Sequence, residues 1–128
     1  MTPGGEPVRV LLVEDSDVYR DSLVFLLGRE PGIEVVGAVA TGGEAADACL
    51  RLGAHVAVID YRLPDVDGAE AAADVRERSP RASVVFLSAS AGEGELASAR
   101  AAGAALVRKD AGLEALVEAI RAASTGSA

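Results

Sequence analysis

VRVLLVEDS, residues 8–16, is the stretch on which the fold turns: a nearly continuous apolar run, Val8 to Val13, that stops abruptly at Glu14, Asp15 and Ser16. A strand buried on both faces of a parallel sheet has this composition and turns polar where it emerges into a loop. Val56 to Ile59 (VAVI) repeats the pattern by running straight into Asp60. Between the two, the period becomes helical from Ser16 or Asp17, with Val18, Leu23, Phe25, Leu26 and Leu27 grouped on one side until Pro31-Gly32 stops the helix. Ile33 to Ala40 reads as a strand. Thr41-Gly42-Gly43-Glu44 opens an Ala-rich helix with Ala45, Ala48, Cys49 and Leu52 on its apolar side and Gly53 at its end.

Beyond Asp60, the turn residues Pro64-Asp65-Val66-Asp67-Gly68 lead into another Ala-rich helix, which reaches about Arg78 before Ser79-Pro80. Ala82 to Leu87 is a fourth strand running into Ser88. A weak helix follows at Glu95 to Ala102, with Leu96 as its one large apolar anchor and glycines at 92 and 94 near its start, which predicts the least stable helix of the chain. A short strand at Ala104 to Val107 runs into Lys109, and an amphipathic helix from Leu113 to Ala123 carries Leu113, Leu116, Val117 and Ile120 on one face. Five strands alternating with five helices predict an α/β, doubly wound parallel sheet of order 2-1-3-4-5 with helices on both faces.

The 128 residues suit one domain, residues 8–123, between an N-terminal tail (1–7) and a small polar tail or linker start (124–128). Half the residues are hydrophobic and a quarter charged, which provides a core and excludes wholesale disorder. No apolar run approaches the ~20 residues needed to cross a bilayer and no signal-peptide pattern opens the chain, so a cytoplasmic protein with no membrane partner is expected. Cys49, the single cysteine, excludes an intramolecular disulfide and a thiolate metal cage. A net charge of −8 argues against direct nucleic-acid contact by this segment, because affinity for the phosphate backbone needs clustered Lys and Arg.

In such a sheet, the first and third strands are neighbours and ligands bind beyond the carboxyl ends of the strands, where their order reverses. Glu14, Asp15 and Asp60 therefore converge. Three carboxylates left alone would repel and raise one another's pKa values, and an all-oxygen set suits a hard cation such as Mg²⁺ better than Zn²⁺. Lys109, the only lysine, supplies a compact ammonium at the end of the fifth strand, and Ser88 a hydroxyl donor at the end of the fourth. Metal, carboxylate nucleophile, ammonium and hydroxyl are the parts that phosphoryl transfer needs, with Asp60 as the nucleophile. His55 reads as a surface or helix-end residue, Cys49 as a small core residue, and Gly42-Gly43 and Gly92-Glu93-Gly94 as turns.

With these residues in place, the sequence closely resembles the receiver domains of bacterial two-component response regulators. The resemblance spans roughly Val8 to Ala123 and rests on LLVEDS, VIDYRLPDVDG, VVFLSA and VRKDAG in that order. It implies that Asp60 accepts phosphate from a sensor histidine kinase, that Asp15 binds Mg²⁺ directly and Glu14 through water, and that Arg62 offers its backbone carbonyl to the ion. Ser88 and Lys109 would hold the phosphoryl group and report its arrival. Lys109-Asp110-Ala111-Gly112 stands where the family usually has Lys-Pro, which resembles the subgroup with a C-terminal LuxR-type helix-turn-helix domain. The sequence accommodates both a stand-alone receiver and a fragment whose DNA-binding domain lies outside this chain, and it leaves homodimer formation open. Leu106 stands where many relatives carry Tyr or Phe, which puts the family's aromatic switch in doubt. Without proline, the Lys109-Asp110 bond is expected to be trans, and Lys109→Ala is expected to fold.

The resemblance implies a signalling module, not an enzyme beyond slow self-dephosphorylation, that acts in transcription regulation. Three rival readings remain. An aspartate-based phosphohydrolase needs a second acid two residues after its nucleophile, where this chain has Arg62. A flavodoxin-like cofactor carrier would bring its phosphate against Glu14 and Asp15. A receiver-like domain that signals without phosphorylation is the third.

Overall fold

The computed structural model describes residues 6–89 and 92–126. Strands β1 (Val8–Val13), β2 (Ile33–Val39), β3 (Val56–Asp60), β4 (Ser83–Ser88) and β5 (Ala105–Arg108) form one parallel sheet in the order β2-β1-β3-β4-β5. Helices α1 (Asp17–Gly28), α2 (Ala45–Leu52), α3 (Gly68–Arg78), α4 (Glu93–Ala101) and α5 (Leu113–Gly126) follow the strands in turn. This is the architecture and strand order read from the sequence. The expected boundaries shift by a residue or two at β2, β4, α4 and β5.

Alternation along the strands divides the core in two. Leu11, Val13, Ala57, Ile59, Val84 and Phe86 pack with Ala45, Ala48 and Cys49 of α2, Ala71, Ala72 and Val75 of α3 and Ala99 of α4. Val8, Val10, Leu12, Val56, Val58, Val85 and Leu87 pack with Leu23 and Leu27 of α1 and Leu116, Val117 and Ile120 of α5. Cys49 is the core residue expected, and burial pushes its thiol pKa up to about 11. His55 also has a structural place: its Nδ1 accepts from the Arg9 amide at 3.0 Å, and its own amide donates to the Arg9 carbonyl at 2.7 Å, which extends the β1–β3 pairing.

Caps set where the helices begin and end. Ser16 Oγ accepts from the Tyr19 amide at the start of α1, and Asp67 Oδ1 from the Glu70 amide at the start of α3. Gly53, at φ +67°, ends α2 in the left-handed conformation that glycine adopts without steric cost. Gly68 answers to a close approach instead: a Cβ there would lie 2.7 Å from the Tyr61 Cα and 2.9 Å from the Tyr61 carbonyl oxygen. The loop that follows Asp60 therefore folds back against the first residue of α3.

Three expectations need correction. In α1, Leu23 and Leu27 are buried, but Val18 is 80% and Phe25 61% exposed, and Leu26 is exposed as well. At about 100° per residue, positions 23 and 27 share the stripe facing the sheet, while 18 and 25 share the opposite one, so apolar character alone does not give the orientation. In α4, Leu96 does not anchor the helix: it is 42% exposed, and the buried residues are Glu95 and Ala99. At the C-terminus, α5 continues past Ala123 into the expected tail, because Ser124 Oγ and Thr125 Oγ1 donate back to the Arg121 carbonyl and hold the last turn. Positions 127–128, and 1–5 of the N-terminal tail, lie outside the described residues. Every described peptide bond, Lys109-Asp110 included, is trans. No helix among the described residues is long and apolar enough to cross a membrane.

Candidate functional site

Register brings the polar residues to one end of the sheet. Val13 of β1 pairs with Ile59 of β3, so Glu14 and Asp15 emerge beside Asp60. Asp60 in turn pairs with Leu87, and Ser88 with Arg108, which sets Ser88 and Lys109 at the same end. Carboxylate oxygens of Glu14, Asp15 and Asp60 lie within 4.8 Å of one another. Glu14 and Asp60 are buried and Asp15 is exposed, so the cluster opens to solvent on the Asp15 side.

Asp60 is held from two directions. Its Oδ1 accepts from the Arg62 amide at 3.1 Å and its Oδ2 from Lys109 Nζ at 3.1 Å. Lys109 Nζ also lies 2.9 Å from Glu14 Oε1, an ion pair that leaves this buried oxygen without a hydrogen bond of good geometry. Burial raises the pKa of Glu14; the Ser16 amide and the ammonium pull the other way, and the charge of Asp60 pushes with burial. Burial works against the ammonium of Lys109, but its contacts with Glu14 and Asp60 outweigh this and raise its pKa. An all-oxygen donor set containing a buried carboxylate oxygen whose ion-pair partner is an ammonium, itself a cation, fits a hard divalent cation. Ser88 is buried, and its Oγ donates to Glu95 Oε2 at 2.7 Å.

Three side chains in contact with these residues escaped the sequence reading. Tyr19 places its ring 4.6 Å from Lys109 Nζ, a cation–π contact that confines the ammonium, and its phenol pKa is raised chiefly by burial. Its position one turn after the Ser16 cap, opposite the strand that delivers Lys109, was the available signal. Arg20 Nη1 donates to the Glu14 carbonyl at 2.8 Å and steadies the loop that carries both β1 acids. Glu95 takes the Ser88 hydroxyl, and its place three residues after Gly92 is that of a capping acid, whose Oε1 accepts from the Gly92 amide at 3.1 Å.

Comparison with known proteins identifies the family and the fold. Residues 10–121 match the family described as the response regulator receiver domain. The DNA-binding transcriptional activator DevR/DosR of Mycobacterium tuberculosis is 36% identical over 124 residues, which cover 93% of this chain and 55% of that protein. A protein-glutamate methylesterase/protein-glutamine glutaminase of Pseudomonas fluorescens is 37% identical over 81 residues, 63% of this chain and 21% of that enzyme. The chain thus spans about half the length of the activator and about a fifth of the enzyme. Among solved structures, the signal receiver domain of a putative NarL regulator from Mycobacterium tuberculosis superposes with a TM-score of 0.87 at 30% identity, covering 94% of this chain and 98% of that one. A LuxR-family two-component response regulator from Aurantimonas gives the same TM-score and identity, over 94% and 87% of the two chains.

Proposed function

The chain belongs to the response regulator receiver family, and from that premise we propose that Asp60 accepts a phosphoryl group from a histidine of a sensor kinase and thereby switches a protein-binding surface. The observation that carries this reading is the placement of one carboxylate, Asp60, between an ammonium and a backbone amide and beside two further acids. An Asp60 carboxylate oxygen attacks phosphorus as the phosphorus–nitrogen bond of the donor breaks, which leaves an acyl phosphate. Lys109, already on Oδ2, neutralises charge on the transferred group, and the Arg62 amide on Oδ1 fixes the plane of the nucleophile. The donor set of Asp15, Asp60 and Glu14, completed by the Arg62 carbonyl, would hold Mg²⁺, whose chemistry is charge neutralisation on the phosphoryl oxygens.

Arg62 stands where a phosphohydrolase of this kind needs its second acid, so the phosphoryl group should stay on Asp60 rather than turn over rapidly. The similarity to a DNA-binding activator favours transcription control as the output, through a domain outside this chain, and a cytoplasmic setting beside the kinase. Intact mass after incubation with Mg²⁺ and a small acyl phosphate tests the reading. Wild type should gain one phosphate, and Asp60→Asn and Asp15→Ala none. One phosphate on Asp60→Asn would overturn the assignment, and rapid turnover of the donor without an adduct would favour the phosphohydrolase.

A further inference from the structure

We propose that Glu95 is a built-in competitor for the Ser88 hydroxyl, so that phosphorylation of Asp60 is read out as release of the first turn of α4. The inference rests on the phosphoacceptor reading above. Ser88 Oγ carries one proton, and it is donated to Glu95 Oε2 at 2.7 Å. Glu95 is only 6% exposed, and a carboxylate buried that deeply persists as a charge only when donors surround it. Its Oε1 takes the Gly92 amide at 3.1 Å, and Arg62 Nε lies 3.8 Å from Oε2.

A phosphoryl group on Asp60 brings a second, more highly charged acceptor to the end of the sheet where Ser88 lies. One hydroxyl proton cannot serve both. When Ser88 turns to the phosphoryl oxygens, Glu95 loses a donor just as negative charge rises nearby, and its carboxylate swings outward, where the exposed guanidinium of Arg62 can receive it. Glu95 belongs to the first turn of α4 and ties back to Gly92, so that turn loosens with it. Apolar burial does little to resist: Leu96 is exposed, and Ala99 is the one buried apolar residue of the helix. A shift between two populations of α4 therefore follows from the transfer of a single hydrogen bond, and it requires no aromatic ring at position 106.

Hydrogen exchange and intact mass, measured together on this chain with Mg²⁺ and a small acyl phosphate, test the latch. Exchange across residues 93–101 should rise on the order of tenfold on phosphorylation. Ser88→Ala should show the same rise without phosphate and little further change with it. Glu95→Ala should bind beryllofluoride about tenfold more tightly than wild type, because the competing acceptor is gone. Should Glu95→Ala fail to fold, Glu95→Gln, which keeps the shape and weakens the acceptor, must move the affinity in the same direction. A phosphate adduct on wild type with unchanged exchange in α4 overturns the latch alone, as does unchanged beryllofluoride affinity in the folded Glu95 variant. Absence of any adduct on wild type overturns the phosphoacceptor reading and the latch with it.

Discussion

Helices α4 and α5 follow neighbouring strands, cover opposite faces of the sheet and flank the same site, yet they are fastened by different forces. α5 buries Leu116, Val117 and Ile120 against β-strand residues such as Val85 and Leu87, and each such side chain contributes about 1.5–3 kcal/mol when fully removed from water. α4 buries Ala99 and a carboxylate, and is tied down by Ser88–Glu95, by Glu95–Gly92 and by a 2.8 Å hydrogen bond from the Tyr61 hydroxyl to Ser98 Oγ. Apolar fastening does not respond to charge placed on Asp60, whereas hydrogen bonds to a buried carboxylate do. On the proposed reading one sheet carries a fixed helix and a responsive one, and the responsive one is joined through Glu95 to Ser88 of the proposed phosphoryl site.

The largest expected effect would break this comparison outright if it failed. Ile120→Ala should destabilise the domain by about 2–5 kcal/mol in urea unfolding, as loss of a fully buried large side chain does. Leu96→Ala, the superficially similar change in α4, should cost less than about 1 kcal/mol because 42% of its surface is already in water. Equal costs would mean that α4 is held by its apolar side after all.

The sequence made the strands, the convergence of acids and the buried faces of α2 and α5 legible, and it misjudged the faces of α1 and α4. Val8 to Val13, apart from the exposed Arg9, and Val56 to Ile59 are apolar because both of their faces are covered, and each run ends in a buried acid, Glu14 or Asp60, at the same end of the sheet. Strand order then placed Glu14, Asp15 and Asp60 together without any side-chain detail. Helix orientation depends on which of several apolar stripes meets the sheet, and α1 offers two, so Val18 and Phe25 were grouped with Leu23. In α4 the rotation is set by a polar residue: once Glu95 is drawn in by Ser88 and Gly92, the next residue, Leu96, turns outward. Hydrophobic periodicity has no means of registering such a contact.

A middle-sized effect sharpens the comparison at the site itself. Lys109 takes no part in either apolar cluster, so Lys109→Ala should fold, with the exchange pattern of α5 intact. It nevertheless removes the ammonium from two buried carboxylates, 2.9 Å from Glu14 Oε1 and 3.1 Å from Asp60 Oδ2. Without divalent cations, the variant should lose about 1–3 kcal/mol, the cost of leaving buried acceptors uncompensated. Mg²⁺ should restore part of that loss and do more for the variant than for wild type, since the ion replaces the missing positive charge. Thermal melts in chelator and in Mg²⁺ check this, and an identical Mg²⁺ effect on both proteins would show that the ammonium and the ion do not share the same carboxylates.

The smallest expected effect isolates one polar tie from everything else. The Tyr61 ring stands edge-on to Phe86, with centroids 5.6 Å apart and planes at 79°, and that contact survives in Tyr61→Phe. The only designed change is loss of the 2.8 Å hydrogen bond to Ser98 Oγ, which lies in the middle of α4 and away from the Ser88–Glu95 pair at its start. A neutral hydrogen bond of this kind contributes about 0.5–1.5 kcal/mol, so global stability should fall by no more than that. Exchange in α4 should rise, because the helix has little apolar burial to take up the load, and exchange in α5 should not change. Phosphorylation should still raise exchange in α4 of Tyr61→Phe, since Ser88 and Glu95 are untouched. If α4 exchanges as slowly in Tyr61→Phe as in wild type, Ser98 carries no load, and the polar fastening of α4 is confined to its first turn.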